Sequence, residues 1–297
     1  MELTLSKLDK NFGKKKAVHN VSLKLNPGIH GLLGANGAGK TTLMRILCGI
    51  LKPTDGEIQF NGQNIYKLGE RYLEILGYLP QDFGYYPNFT GIEYLEYIGA
   101  AKGLSRAYTL SRANELLEVF QLSEMKKKKL KTYSGGMVQR IGIIQSLLNK
   151  PKILVLDEPS AGLDPKQRLI LKNYLSQISR ECIVILSTHI TSDIESIANN
   201  IIMMKDGRVI CEGDEESLLM ELKGKVWELI IDENELLRYM DKMTVISYSR
   251  KGNKIKARVI SEFAPTKNAE LLEPNLEDFY LYHNPEEAQN SDNEKIV

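Results

Sequence analysis

Between residues 34 and 42 the chain reads Gly-Ala-Asn-Gly-Ala-Gly-Lys-Thr-Thr, a spacing suited to wrapping a polyphosphate. Gly34, Gly37 and Gly39 permit backbone conformations that a Cβ forbids. With Asn36 and Ala38 between them, successive N–H groups can point at one anion. Lys40 is placed to reach the β- and γ-phosphates of a nucleotide. Thr41 offers a hydroxyl to Mg²⁺, and Thr42 follows it into the next turn. The apolar run Ile29–Leu33 before this loop and the amphipathic run Leu43–Cys48 after it predict strand, glycine-rich turn and helix. The helix aims its positive end at the same anion.

Four more polar sets follow, three of them behind apolar runs. Ile153–Leu156 is a continuous apolar strand that delivers Asp157 and Glu158 to its carboxyl end. Adjacent acids there suit a division of labour, one in a Mg²⁺ shell and one polarising a water. The strand Cys182–Leu186 ends in Ser187-Thr188-His189, which brings a third polar group to the same edge. Ser134, Gly135 and Gly136 open a helix that carries Gln139, so free N–H groups and a hydroxyl form a second anion site. Gln81, after the strand Ile75–Leu79, reads either as a ligand-side amide or as a solvated loop residue. Phe12 reads first as packing and second as a surface on which a flat ligand stacks.

The elements that position these groups can be traced in order. Leu3, Leu5 and Leu8, then Val21, Leu23 and Leu25, alternate as strands of a small antiparallel sheet. Asn61-Gly62 is a two-residue hairpin turn, with strands at 58–60 and 63–65. Thr90 and Glu93 form a capping box for a helix over 92–101, and a second helix spans 110–120. Residues 87–150 read as a helical insert between strands. Tyr78, Tyr85, Tyr86, Tyr94 and Tyr97 mark its entrance, either as packing or as a docking face. Lys126–Lys129 is a basic run that reads as a solvated face, with anionic lipid headgroups as the alternative. Residues 223–283 form a small α+β appendix with strands at 226–231, 245–248 and 255–259. From Asn284 the chain is polar and charged, and disorder is expected to residue 297.

The formal net charge of +1 over 297 residues gives no broad attraction for nucleic acid. The odd set Cys48, Cys182 and Cys211 does not suggest a disulfide or metal framework. The amino terminus lacks the basic-then-apolar form of a signal peptide, and no apolar run reaches the length of a membrane span.

Taken together, these residues resemble the ATP-binding subunit of an ABC transporter over residues 1–222. Gly34–Thr42 is similar to Walker A, Gln81 to the Q-loop glutamine, and Ser134–Gln139 to the signature. Ile153–Glu158 matches Walker B with its catalytic glutamate, Ala161–Asp164 the D-loop, and His189 the switch histidine. Phe12 occupies the adenine-stacking position, with Val18 nearby. Phe12 stands where Tyr is usual, Tyr133 where Leu is usual, and Val138 where a polar residue is frequent.

The resemblance implies an α/β fold: a P-loop NTPase core of ABC ATPase type with an antiparallel β subdomain, a helical subdomain and the carboxyl-terminal α+β appendix. It implies ATP and Mg²⁺ as cofactors, with Thr41, Gln81 and Asp157 toward the metal. Glu158 and His189 would serve hydrolysis. Ser134, Gly135, Gly136, Gln139 and Asp164 would contact a nucleotide held by the facing chain of a head-to-tail dimer. The implied partners are a second such subunit and a membrane permease, at the cytoplasmic face of the cell membrane, with no nucleic acid. Leu272–Tyr280 and the appendix resemble the tails of bacterial exporter subunits. This points to export of a peptide antibiotic, lipid or similar hydrophobic compound. The competing reading is a soluble ABC ATPase acting on ribosomes or nucleic acid. Such proteins usually carry paired ATP-binding domains or a long coiled-coil insert.

Overall fold

The computed structural model describes residues 1–240 and 242–290. They divide into two compact units, Met1–Glu212 and a second that begins at Gly213.

The first unit opens with β1 (Leu3–Phe12), β2 (Lys15–Leu25), β3 (Gly28–Leu33), α1 (Lys40–Leu47), β4 (Asp55–Phe60) and β5 (Gln63–Asn64). Strands β2-β1-β4-β5 form an antiparallel sheet. Leu3, Leu5 and Leu8 of β1 are buried with Val21, Leu23 and Leu25 of β2, so the alternation in the sequence becomes one apolar face. Asn61 and Gly62 both have positive φ, 49° and 77°, which matches the twist of a primed hairpin turn. The second strand of this hairpin is shorter than expected. The Asn64 side chain accepts the Tyr66 N–H and turns the chain into α2 (Ile65–Leu68), followed by α3 (Glu70–Glu74).

The remaining elements of this unit are β6 (Leu76–Leu79), α4 (Gly91–Ala101), α5 (Arg106–Val119), α6 (Gly135–Leu147), β7 (Ile153–Asp157), α7 (Pro165–Ile178), β8 (Ile183–Thr188), β9 (Asn200–Lys205) and β10 (Arg208–Gly213). The central sheet has the order β10-β9-β3-β8-β7-β6. The pairs β9·β3, β3·β8, β8·β7 and β7·β6 are parallel. Every residue of β3, β7 and β8 is buried, as expected for parallel strands covered on both faces. Because the strands are parallel and in register, Leu33 lies beside Thr188 and Asp157 beside Ser187. The loops that follow β3, β6, β7 and β8 therefore emerge at one edge, where ligands bind in open α/β sheets.

Thr90 caps α4 in a reciprocal box with Glu93. Helix α5 starts earlier than expected because Ser105 caps it through the Tyr108 N–H. Arg112 of α5 donates to the Tyr174 hydroxyl of α7 at 2.8 Å, which ties the insert to the core. At the end of α4, Lys102 donates to Asn149 Oδ1 at 3.0 Å, and burial lowers its pKa to about 8. Tyr86, Phe89 and Tyr97 form a mutually packed cluster, with Tyr86 and Tyr97 exposed.

The second unit contains α8 (Glu215–Leu219), β11 (Val226–Asp232), α9 (Leu236–Met240), β12 (Thr244–Lys251), β13 (Lys254–Ile260), β14 (Glu270–Leu271), α10 (Leu276–His283) and α11 (Pro285–Asn290). Its antiparallel sheet has the order β12-β13-β11-β14. Leu229, Ile231, Val245, Ile255, Ala257 and Val259 make its core. Arg258 forks onto the fully buried Asp278 with bonds of 2.7 and 2.6 Å, and Asp278 also completes the capping box of α10. A paired, hydrogen-bonded charge of this kind is tolerated inside a fold, whereas a lone one is not.

Helix α11 occupies residues expected to be disordered. Pro285 suits a first helical position, Glu286 and Glu287 favour the helix dipole, and the Tyr280 hydroxyl donates to Glu287. The rest of that expected tail, 291–297, lies outside the described residues.

Candidate functional site

A cleft of about 410 Å³ opens at the carboxyl edge of the central sheet. Ala35, Asn36, Gly37, Gly39, Lys40, Thr41 and Thr42 line it together with Gln81, Asp157 and Glu158. The ends of three strands, β3, β6 and β7, thus converge on it. Lys15 and Ala17 also line it. Both were missed, because β2 carries no motif and reaches the loop only through the fold.

The loop is shaped by close backbone contact. Gly39 has φ of 104°, and a Cβ there would lie 2.3 Å from the Ala17 carbonyl oxygen. Gly39 is also the N-cap of α1, and no side chain caps this helix. First-turn N–H groups have no partner within a helix itself, so those of Thr41 and Thr42 can serve an anion. Lys40 is buried and folds back, donating to the carbonyls of Gly34 and, at 3.1 Å, Ala35. A polyphosphate entering the loop would offer it stronger, charged acceptors.

Asp157 is 1% exposed. Its Oδ1 accepts a 2.5 Å bond from the Ser187 hydroxyl, while Oδ2 is buried without a protein hydrogen-bond partner. The sparse donor set of Thr41, Gln81 and a carboxylate with an unused oxygen fits Mg²⁺, which keeps several waters and takes few protein ligands. No cluster of three or more His, Cys, Asp or Glu occurs among the described residues, so a closed all-protein metal cage is not what this site offers. The floor beside Asp157 is poorly solvated. Burial, with smaller contributions from neighbouring charge, raises the Tyr78 phenol to about 12 and the Cys48 thiol well above its ordinary value. Both stay neutral.

Glu158 adopts a left-handed backbone, φ 52°, and is 8% exposed. His189 Nδ1 lies 3.0 Å from Glu158 Oε1, a hydrogen bond in the tautomer that carries its proton on Nδ1. The Ser160 hydroxyl donates to the buried Asp193, which also accepts from Thr188 at 3.3 Å. The turn after β7 is therefore laced to the turn after β8.

The other expected residues sit elsewhere. Ser134 is the N-cap of α6, its Oγ accepting the Met137 N–H at 3.3 Å. Ser134 and Gly135 are exposed and do not line the cleft. Gly136 is packed against Gly162 of its own chain, where a Cβ would lie 2.7 Å from the Gly162 carbonyl oxygen. Asp164 caps α7 through the Gln167 N–H at 2.9 Å. Gln139 donates to the carbonyls of Glu158 and Pro159 at 3.1 and 3.2 Å, so its amide is engaged within the chain. Phe12 is 50% exposed with Lys10 Nζ 5.3 Å above its ring, beyond the cleft lining. Val18 is fully buried in the core, and its neighbour Ala17 faces the loop instead.

The chain is similar in sequence and fold to known proteins. Residues 18–161 match the family model described as ABC transporter. The uncharacterized ABC transporter ATP-binding protein YxlF of Bacillus subtilis (strain 168) is 37% identical over 232 residues, covering 78% of this chain and 77% of that protein. The daunorubicin resistance ATP-binding protein DrrA3 of Streptomyces coeruleorubidus is 34% identical over 233 residues, covering 78% and 74%. Among solved structures, the dimeric post-hydrolysis state of the ATP-binding cassette MJ0796 bound to ADP and Pi aligns with a TM-score of 0.66 at 26% identity, covering 71% of this chain and 98% of that one. Sequence, fold and cleft agree, and the chain belongs to the ABC transporter family as one of its ATP-binding, ATP-hydrolysing subunits.

Proposed function

We propose that this chain is the motor of an exporter, working as a head-to-tail pair beneath a separate membrane permease. One observation carries the pairing. The cleft holds Lys40, Asp157 and Glu158, whereas Ser134 and Gly135, at a helix N-terminus suited to phosphate, are exposed and outside that cleft. A second copy facing the opposite way would supply its Ser134, Gly135 and Gly136 to the nucleotide cradled here. The dimeric state of MJ0796 with ADP and Pi supports this reading. The name of DrrA3 favours export of a hydrophobic or antibiotic-like compound.

In this mechanism the loop N–H groups and Lys40 bind the phosphates of ATP. Glu158 orients a water toward the γ-phosphorus and accepts its proton as the bond to the bridging oxygen breaks, giving ADP and phosphate. His189 holds the Glu158 carboxylate and reaches the γ-phosphate. Thr41, Asp157 and Gln81 would hold Mg²⁺, which offsets the charge of the β- and γ-phosphates. Phe12 would stack on adenine from the rim, and Gln81 would report the state of the cleft to the helical insert and the permease. ATP stabilises the closed pair alone, so its hydrolysis shifts the population back to the open one.

The Glu158→Gln variant tests this. It should bind ATP, fail to hydrolyse it and elute as a dimer on size-exclusion chromatography with ATP. A chain that elutes as a monomer under those conditions overturns the pairing. Detergent co-purification checks the partner: an integral membrane protein is expected, and recovery of ribosomes without one overturns transport.

A further inference from the structure

Glu158 occupies a backbone conformation that a residue with a Cβ rarely adopts, and such residues persist only where their surroundings over-determine them. Two side chains from different elements do so here. The Ser187 hydroxyl, fully buried at the end of β8, accepts the Glu158 N–H at 3.0 Å while donating to Asp157. Gln139, in α6, donates to the carbonyls of Glu158 and Pro159. Both partners are acceptors, so only the amide nitrogen can serve them. The N–H and the C=O of Glu158 are thus both held by side chains.

We propose that Gln139 and Ser187 are positioning residues for the Glu158 carboxylate, and that Gln139 makes the signature helix and the acid turn of one chain move as a unit. This rests on the reading above, in which Glu158 orients the attacking water. It has a consequence for the pair. Ser134 and Gly136, at the start of the same helix, engage the partner's nucleotide. The position α6 takes on that engagement is passed through Gln139 to the hydrolytic carboxylate of its own chain. Each site then responds to occupancy of the other, with Gln139 as the side chain that joins them.

The test is ATP turnover by the full-length chain carrying Gln139→Met, Gln139→Glu or Ser187→Ala, with Glu158→Gln as reference. Gln139→Met keeps the volume and removes both donors. Its kcat is expected to fall about tenfold, the size of one lost net hydrogen bond in the activated state, with KM for ATP within about twofold. Gln139→Glu turns a third acceptor toward two carbonyls and should fall further. Ser187→Ala should lower kcat and also raise the Mg²⁺ concentration for half-maximal rate, because Asp157 loses its anchor. Gln139→Met combined with Glu158→Gln should still form the ATP-dependent dimer.

A raised KM with kcat preserved would make Gln139 a nucleotide contact and overturn the proposal, as would loss of ATP-dependent pairing in the double variant. A lowered melting temperature with unchanged kcat and KM would reduce both residues to packing. The two readings fail separately. Wild-type turnover by Glu158→Gln removes the role of Glu158 itself. An inactive Glu158→Gln beside a fully active Gln139→Met removes only the positioning role.

Discussion

Two helices begin with glycine-rich segments, α1 after Gly34–Gly39 and α6 at Ser134–Gly136, and they solve the same problem differently. Helix α1 has no side-chain cap, and its approach loop folds around a cleft. Helix α6 is capped by its own Ser134 and opens onto the surface. An uncapped N-terminus leaves donors that a ligand must satisfy, whereas a capped one is stable in water alone. The first is built to need its nucleotide. In the proposed pairing, the second waits for one brought by another molecule.

The largest expected effect is chemical and belongs to the first helix. Lys40→Ala should lower ATP turnover by about 100-fold or more, measured as phosphate release from a clean preparation. Next is a contrast in stability. Gly39→Ala drives a Cβ into the Ala17 carbonyl and should destabilise the fold by about 3 kcal/mol in urea titration. Gly135→Ala meets nothing within 4 Å and should leave stability within about 1 kcal/mol, on the favourable side, while abolishing ATP-dependent pairing in a Glu158→Gln background. Equal destabilisation by both alanines would erase the contrast between the two helix starts. A third change, Ser134→Ala, removes the cap of α6 and should lower stability by about 1 kcal/mol. No loss would mean that water caps this helix equally well.

The smallest effect concerns the far end of α6, where Lys102 reaches Asn149. Burial holds Lys102 at about 8 when folded, below its ordinary value of 10.5. Between these two values the unfolded chain binds more protons than the folded one, so this group makes stability rise with pH across that window and opposes folding fully below it. Comparing melting temperatures of the wild type and Lys102→Met from pH 7.5 to 10 should show the steeper upward slope in the wild type. Parallel curves would remove Lys102 from this account.

The parts legible in the sequence were those written locally. Gly34–Thr42, the apolar run ahead of Asp157 and the Thr90–Glu93 cap each declare a structure within a few residues. What sequence reading missed depends on register between distant segments. Ser187 matters because β8 pairs with β7 so that it lies beside Asp157, and nothing near residue 187 announces that. Lys15 and Ala17 line the cleft because β2 passes the phosphate loop. Val18, one residue on, is turned into the core. Gln139 reads from the signature as a ligand contact, and only the packing of α6 against the turn after β7 shows where its amide goes. Helix α11 was missed because a polar composition says little about a segment that Tyr280 holds in place.

The left-handed glutamate has a practical consequence for anyone breeding a hardier version of this protein. Glycine or asparagine relaxes more easily into the backbone that residue 158 adopts. A screen that rewards survival on heating, and does not ask for turnover, would therefore enrich Glu158→Gly or Glu158→Asn and, given the role proposed for Glu158, return robust chains that no longer burn fuel.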